Sequence, residues 1–255
     1  MLKKRLFQIF VELTNGNLSS KMVKKITKSN LSRLLIPIFI KTYNINTYEI
    51  LKDISDFKNL NDFFIRQVHP KLRPIGEGII SPTDGEISEI GKIEEDSTFV
   101  IKGQEYMVKS LLADSERAKK LAGGYYIIIY LSPKNYHRIH FPTSGKILSS
   151  YTLGKHSYPV NNAGLNLGDN VLSYNYRRIV EIENENTTYN LVCIGAQNVN
   201  SIIETYKTKE IEKSQEMGYF EFGSTVVLLF EKNSINLETK EKTEIKMGEK
   251  IAIFK

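Results

Sequence analysis

Ser224 lies in Gly223-Ser224-Thr225, between the aromatic pattern Tyr219-Phe220-Glu221-Phe222 and the apolar run Val226-Val227-Leu228-Leu229-Phe230. Gly223 has no side chain, so its carbonyl can be approached closely and its backbone can carry strain. Ser224 places a hydroxyl beside that carbonyl. If a base takes the hydroxyl proton, Ser224 can attack its own preceding peptide bond and turn the amide into an ester. Elimination across the serine then cuts the chain and leaves dehydroalanine, which hydrolyses to a pyruvoyl group. The same triplet also fits a turn or bulge ahead of a buried strand.

The chain has four histidines, and two of them fall in Tyr136-His137-Arg138-Ile139-His140, bounded by Pro133 and Pro142. Two histidines and an arginine at the mouth of a buried strand point to acid–base work. A His-x-x-His pair could also supply two metal ligands. No nearby cysteine or carboxylate of ligand-like spacing completes a set, so acid–base work ranks first and no metal is expected. Asp84, in the turn pattern Ser81-Pro82-Thr83-Asp84-Gly85, is a routine turn residue unless a histidine nearby needs orienting. Arg66 and Arg73 flank the exit of a helical stretch and suit a structural or a substrate-binding role equally. His156 reads as a surface residue.

The elements that must position these groups follow from periodicity. Gly123-Gly124-Tyr125-Tyr126-Ile127-Ile128-Ile129-Tyr130-Leu131 is a buried strand delivering the histidine motif. Ile79–Ile87 predicts strand, tight turn and strand around Asp84. Phe57, Leu60, Phe63 and Phe64 share one helical face. A short helix ends at Leu111-Leu112. Strands are expected over 175–182, 190–194 and 195–202, a solvated hairpin over 233–246, and a closing strand from Gly248 to Phe254. Cys193, the single cysteine, excludes an internal disulfide and reads as a small core residue.

Charge is unevenly placed. Residues 1–41 carry nine basic groups against Glu12, a net +8, so the rest of the chain nets −2 within a total of +6. Leu2, Leu6, Ile9, Phe10 and Leu13 fall on one helical face, and a second basic helix follows the break at Asn15-Gly16-Asn17. The run Leu34-Leu35-Ile36-Pro37-Ile38-Phe39-Ile40 is far below the roughly 18–20 apolar residues that span a bilayer. Gln8 and Glu12 interrupt any signal-peptide core. The region reads as an amphipathic basic segment lying on an anionic membrane surface, with a helical cap on the core as the alternative. No basic, aromatic-interleaved motif supports nucleic-acid binding.

Taken together, these residues carry a resemblance. From about Leu60 to Phe254 the chain resembles the pyruvoyl-dependent phosphatidylserine decarboxylases. It does so through Phe64-Ile65-Arg66, Arg73-Pro74-Ile75, Ser81-Pro82-Thr83-Asp84-Gly85, Lys102-Gly103 with Tyr106, Tyr130-Leu131-Ser132-Pro133, Tyr136-His137-Arg138-Ile139-His140, Gly195-Ala196, and Glu216-x-Gly218-x-Phe220-x-Phe222-Gly223-Ser224-Thr225. The resemblance implies that Ser224 is the self-processing serine, His140 the base that activates it, and Asp84 the group orienting His140. It makes His137 the second histidine, associated with decarboxylation. Cleavage between Gly223 and Ser224 would yield associated chains 1–223 and 224–255, the short one beginning with a covalent pyruvoyl cofactor. The implied reaction converts phosphatidylserine to phosphatidylethanolamine and carbon dioxide through an imine with that group. Phe222, Asn135, Tyr176, Asn200 and Ser214 depart from residues common in the family (Leu, Asp, Glu, Gly and Gly).

The expected fold class is α+β, with N-terminal amphipathic helices docked on a β-rich, partly barrel-like catalytic core. Residues 1–59 form the helical membrane-associating region and 60–255 the catalytic domain. The expected location is peripheral, on the cytoplasmic face of the cytoplasmic membrane; a homo-oligomer is compatible with this reading. Two rivals remain: a serine hydrolase using Asp84, His140 and Ser224 on another molecule, and a non-catalytic lipid-binding module.

Overall fold

The apolar run 125–131 lies near the middle of the largest sheet. The computed structural model describes residues 24–101, 103–155, 157–160, 165, 168–196, 202–221 and 224–255. The expected helix over residues 2–13, His156, Phe222 and Gly223 lie outside the described residues.

Residues 24–27 are helical and lead into a 3-10 turn, Asn30–Leu35, and helix α1 (Ile36–Tyr43). Helix α2 (Leu60–Phe64) is short; Asn59 caps it by accepting the Asp62 amide, as its side chain can at an N-cap. The strands β1 (Ile79–Ile80), β2 (Gly85–Lys92), β3 (Thr98–Ile101) and β4 (Gln104–Met107) follow, then helices α3 (Val108–Leu112) and α4 (Ser115–Leu121). Next come β5 (Tyr125–Leu131), β6 (Arg138–His140), β7 (Gly145–Leu153), helix α5 (Val171–Tyr174), β8 (Arg177–Glu183) and β9 (Thr188–Gly195). The chain closes with β10 (Ile202–Glu204), β11 (Glu210–Ile211), β12 (Glu216–Phe220), β13 (Ser224–Phe230), β14 (Ile235–Leu237), β15 (Thr243–Ile245) and β16 (Lys250–Phe254).

Eight strands form one antiparallel sheet in the order β11-β7-β8-β9-β13-β5-β2-β15. Successive side chains of a strand point to opposite faces, so β13 feeds two cores. Val226, Leu228 and Phe230 join one core, and Val227 and Leu229 the other. The first face packs against the small sheets β1-β16-β14 and β10-β12-β6 through Ile79, Ile139, Met217, Phe220, Ile235 and Ile251. The second is covered by α3, α4, α5 and the β3-β4 ribbon through residues such as Phe99, Leu111, Leu121 and Leu172. Burial on both faces explains why 226–230 reads as a continuous apolar run rather than an alternating one.

The architecture is the expected α+β. Among the described residues no sheet closes into a barrel, because the large sheet ends on β11 and β15. The expected hairpin over 233–246 is not formed: β14 pairs with β16, and β15 pairs with β2. Ile235 and Ile245 are buried, and these two anchors draw the strands to different sheets through an otherwise charged segment. Gly195 ends β9 and Ile202 begins β10; most of the strand expected over 195–202, residues 197–201, lies outside the described residues.

Candidate active site

Ser224 opens β13, paired with Leu131 at the end of β5 on one side and Gly195 at the end of β9 on the other. It is fully buried, and its Oγ has no hydrogen-bond partner among the described residues. A buried hydroxyl left unpaired costs about 1–3 kcal/mol, which an alanine at the head of this strand would avoid. Placing the cost here is consistent with a group kept for chemistry.

The histidine motif is delivered by the other half of the same corner. After Leu131 the chain makes a tight turn in which Asn135 Oδ1 accepts from Ser132 N at 2.9 Å and Ser132 Oγ at 2.8 Å. An asparagine oxygen serves this purpose as well as a carboxylate does. Phe220, at the end of β12, then donates its amide to the His137 carbonyl at 3.1 Å. The residues flanking the β5–β6 connection are therefore tied to those flanking residues 221–223, by Ser224–Leu131 at one end and Phe220–His137 at the other.

His137 is wholly buried, with Phe64 packed on its ring at 4.1 Å between centroids. Its Nδ1–H donates to the Asn135 carbonyl at 2.9 Å. Since a carbonyl only accepts, Nδ1 carries the proton and Nε2 the lone pair. That Nε2 has no partner among the described residues. Burial, reinforced by the nearby Arg66 cation, pushes the ring down to about 3, so it is neutral at physiological pH.

His140 is committed at both ring nitrogens. Nδ1–H donates to the Ser214 carbonyl at 2.7 Å, and the Tyr136 hydroxyl donates to Nε2 at 2.9 Å. Burial lowers its pKa, while the Ser214 carbonyl and the charge of Glu216 act in the opposite direction. Burial raises that of the Tyr136 phenol, which keeps it a donor. Ser214 holds φ at 67°, a left-handed conformation that glycine adopts more readily. A cavity of about 320 Å³ opens beside His140, lined among others by Tyr136, Arg73, Glu216 and Met247.

Asp84 sits in the turn between β1 and β2. Gly85 is required there, since a Cβ would stand 2.6 Å from the Tyr130 carbonyl oxygen. Thr83 Oγ1 reaches the Tyr136 and Arg138 carbonyls, and the His140 amide donates to the Pro82 carbonyl, strapping turn and motif together. Asp84 itself makes no hydrogen bond to His140 among the described residues. Its oxygens accept a two-pronged contact from Arg73, at 2.9 and 2.6 Å, and the Met247 amide at 2.9 Å. Arg73 also binds Glu49 at 2.6 Å.

The sequence left Arg73 between a structural and a substrate-binding role and held Tyr136 in a motif without one; their partners are set by packing. It also missed Glu221, just ahead of the candidate cleavage bond, which is nearly buried and ion-paired to Lys24 at 2.6 Å and to Lys28. Cys193 is buried in the sheet, and burial pushes its thiol up, away from nucleophilic use. Among the described residues no group of three or more His, Cys, Asp or Glu is placed to hold a metal ion.

Comparison with known proteins decides the family. The family model for phosphatidylserine decarboxylase matches residues 60–253. The chain belongs to the phosphatidylserine decarboxylase family. A phosphatidylserine decarboxylase proenzyme of Geobacillus sp. (strain WCH70) is 46% identical over 257 residues, covering 99% of both chains. Proenzymes of the same name from Bacillus thuringiensis subsp. konkukian (strain 97-27) and Bacillus cereus (strain ATCC 10987 / NRS 248) are each 42% identical over 256 residues, covering 98% of both chains. These phosphatidylserine decarboxylase relatives span the N-terminal 59 residues as well, so the similarity extends beyond the part of the chain that carries the motifs.

Proposed function

We propose that this chain is a proenzyme that cuts itself before Ser224 and then decarboxylates phosphatidylserine to phosphatidylethanolamine. The observation that carries the reading is Ser224: a buried, unpartnered hydroxyl at the head of a central strand, with two buried histidines in the segment that follows its partner strand β5. The serine-hydrolase and lipid-binding alternatives are not favoured by the proenzyme relatives.

In the processing step a base removes the Oγ proton and Oγ attacks the carbonyl carbon of residue 223. The C–N bond breaks, the nitrogen takes a proton, and an ester replaces the amide. Loss of the Ser224 Cα proton then breaks Cβ–Oγ, freeing the carboxylate of residue 223. Water hydrolyses the remaining enamine, by way of its imine, to a pyruvoyl group and ammonia. Once formed, the pyruvoyl ketone supplies an electron sink for the carbon that loses carbon dioxide. The burial of Ser224 fits that group, because an electron sink works best with water excluded. Residues 224–255 would stay bound after cleavage. All seven residues of β13 pair on both sides with β5 and β9, and β16 pairs with β1.

Family resemblance supports His140 as the processing base with Asp84 behind it, and His137 as proton donor to the decarboxylated carbon. In that arrangement Tyr136 must yield His140 Nε2 to Ser224, and Asp84 acts through its charge. One observation favours a second division of labour. His137 Nε2 is a buried lone pair with no partner among the described residues, and the His137 carbonyl is held by the Phe220 amide. His137→Gln and His140→Gln separate the two readings by intact mass over time. Loss of a general base is expected to slow cleavage about 10²–10⁴-fold. If His140→Gln blocks cleavage and His137→Gln blocks turnover only, the first reading stands; the reverse outcome establishes the second.

The division into a membrane-associating region, 1–59, and a catalytic domain, 60–255, is part of the same proposal. No described helix is long and apolar enough to cross a membrane. Leu31, Leu34 and Ile38 are 79, 74 and 63% exposed on the 3-10 turn and α1, with Lys25, Arg33 and Lys41 nearby in sequence. An apolar row edged by cations suits an anionic surface such as a cytoplasmic leaflet, where the lipid substrate resides. Leu34→Glu with Ile38→Glu is expected to weaken binding to phosphatidylserine-containing vesicles by at least about tenfold, the equivalent of 1.4 kcal/mol. Chain cleavage should be unchanged. Undiminished vesicle flotation of this variant would remove the surface from the proposal.

A further inference from the structure

Arg66 is 4% exposed, and among the described residues it makes no ion pair within 4.0 Å. Asp84 and Glu49, whose charges favour its ionised form, are both tied directly to Arg73. A buried guanidinium without its own carboxylate is costly, and an apolar side chain would fill the same space at less cost. What Arg66 touches explains its presence. Nη2 donates to the carbonyls of Lys134 at 2.6 Å and Asn135 at 2.9 Å, while the cation rests on the Phe63 ring at 5.2 Å.

The Asn135 carbonyl is the same oxygen that receives His137 Nδ1–H. Its two lone pairs are therefore filled by Arg66 and His137, and the turn that carries it is closed from within by the Asn135 side chain. Phe64, two residues before Arg66, packs on the imidazole itself. One short segment, 63–66, thus fixes the position of the ring and the acceptor that fixes its tautomer. Among the described residues the charged group acting on His137 is Arg66; the Phe64 ring packed on the imidazole and the Phe220 amide on the His137 carbonyl are uncharged.

We propose that Arg66 is a positioning residue for His137: by holding the Lys134 and Asn135 carbonyls, it presents the imidazole as the Nδ1–H tautomer with Nε2 open. This rests on the reading that His137 serves the reaction, whichever of the two steps it serves. Arg66 touches no reacting atom. Both carbonyls accept from the one nitrogen Nη2, whose two N–H bonds are fixed in the guanidinium plane, whereas an ammonium turns freely on a flexible stem.

The test uses the full chain with Ser224→Ala, uncut and homogeneous, carrying ¹⁵N-labelled histidine. Ring-nitrogen NMR of His137, assigned by its loss in His137→Gln, should show one neutral Nδ1–H tautomer. Arg66→Met is expected to give a mixture of tautomers, and Arg66→Lys a smaller admixture. An unchanged Nδ1–H signature in Arg66→Met overturns the proposal. Should that variant fail to fold, Arg66→Lys decides alone: mixed tautomers support the proposal and a pure Nδ1–H signal overturns it. In the Ser224 chain, Arg66→Met should slow the His137-dependent step by about 10²-fold, the loss expected of a displaced reacting group, with partial rescue by lysine. If His137→Gln is fully active while the tautomer still depends on Arg66, the reading of His137 fails and the positioning role survives.

Discussion

A Ser224→Ala chain is expected to remain one species of 29.2 kDa, while the natural chain separates into residues 1–223 and 224–255. Alanine removes the nucleophilic oxygen and nothing else, because Ser224 Oγ bonds to no described residue. Intact mass under denaturing conditions reads the result directly. The natural short chain should be lighter by one ammonia than simple hydrolysis predicts, and that deficit marks the pyruvoyl group. The variant should also lack carbon dioxide release from phosphatidylserine vesicles. The uncut alanine chain should unfold at a temperature no lower than that of the uncut serine chain, since an unpaired buried hydroxyl has been removed. Cleavage that persists in Ser224→Ala would show that another residue attacks the chain, and the proposed function would fall.

Arg73→Ala carries the largest expected loss of stability. Arg73 is 1% exposed at its side chain, Asp84 8%, and the guanidinium makes two contacts to Asp84 and one to Glu49. Removing it leaves Asp84 a buried carboxylate held only by the Met247 amide among the described residues. Breaking such a pair costs about 3–5 kcal/mol, mostly because the remaining charge is uncompensated. Urea unfolding of the Ser224→Ala chain measures this without interference from cleavage. Arg73→Met with Asp84→Asn should recover most of the loss, since neither buried charge remains. A cost below about 1 kcal/mol for Arg73→Ala would mean that solvent reaches Asp84, contrary to its burial. The double variant also isolates chemistry from folding. If it is stable but uncleaved, the Asp84 charge acts on His140 across the gap between them.

Much of this molecule was legible in the chain. The run 226–230 had to be a buried strand because no amphipathic period of 3.6 fits it, and β13 is the centre of a sheet covered on both faces. The run 125–131 told the same story, and β5 is the strand paired beside it. The Asp84-Gly85 turn between β1 and β2 formed as its residue types demand. Local chemistry failed at 233–246, where a Lys- and Glu-rich texture concealed Ile235 and Ile245, two buried residues that send β14 and β15 to separate sheets.

The sequence by itself determined which groups are present and which strands must be buried. Ser224, His137, His140 and Asp84 could be named from the chain, but their expected roles came from the family resemblance and not from periodicity or turn chemistry. Tertiary structure alone decided what each group is bonded to. Arg73 rather than His140 takes Asp84, Tyr136 and Ser214 take both nitrogens of His140, Arg66 shares the acceptor of His137, and Lys24 and Lys28 reach Glu221 from the far end of the chain. The reason is physical: hydrophobic burial is non-directional and written in local patterns, whereas hydrogen bonds and ion pairs depend on angles and distances that exist only once the sheets have packed.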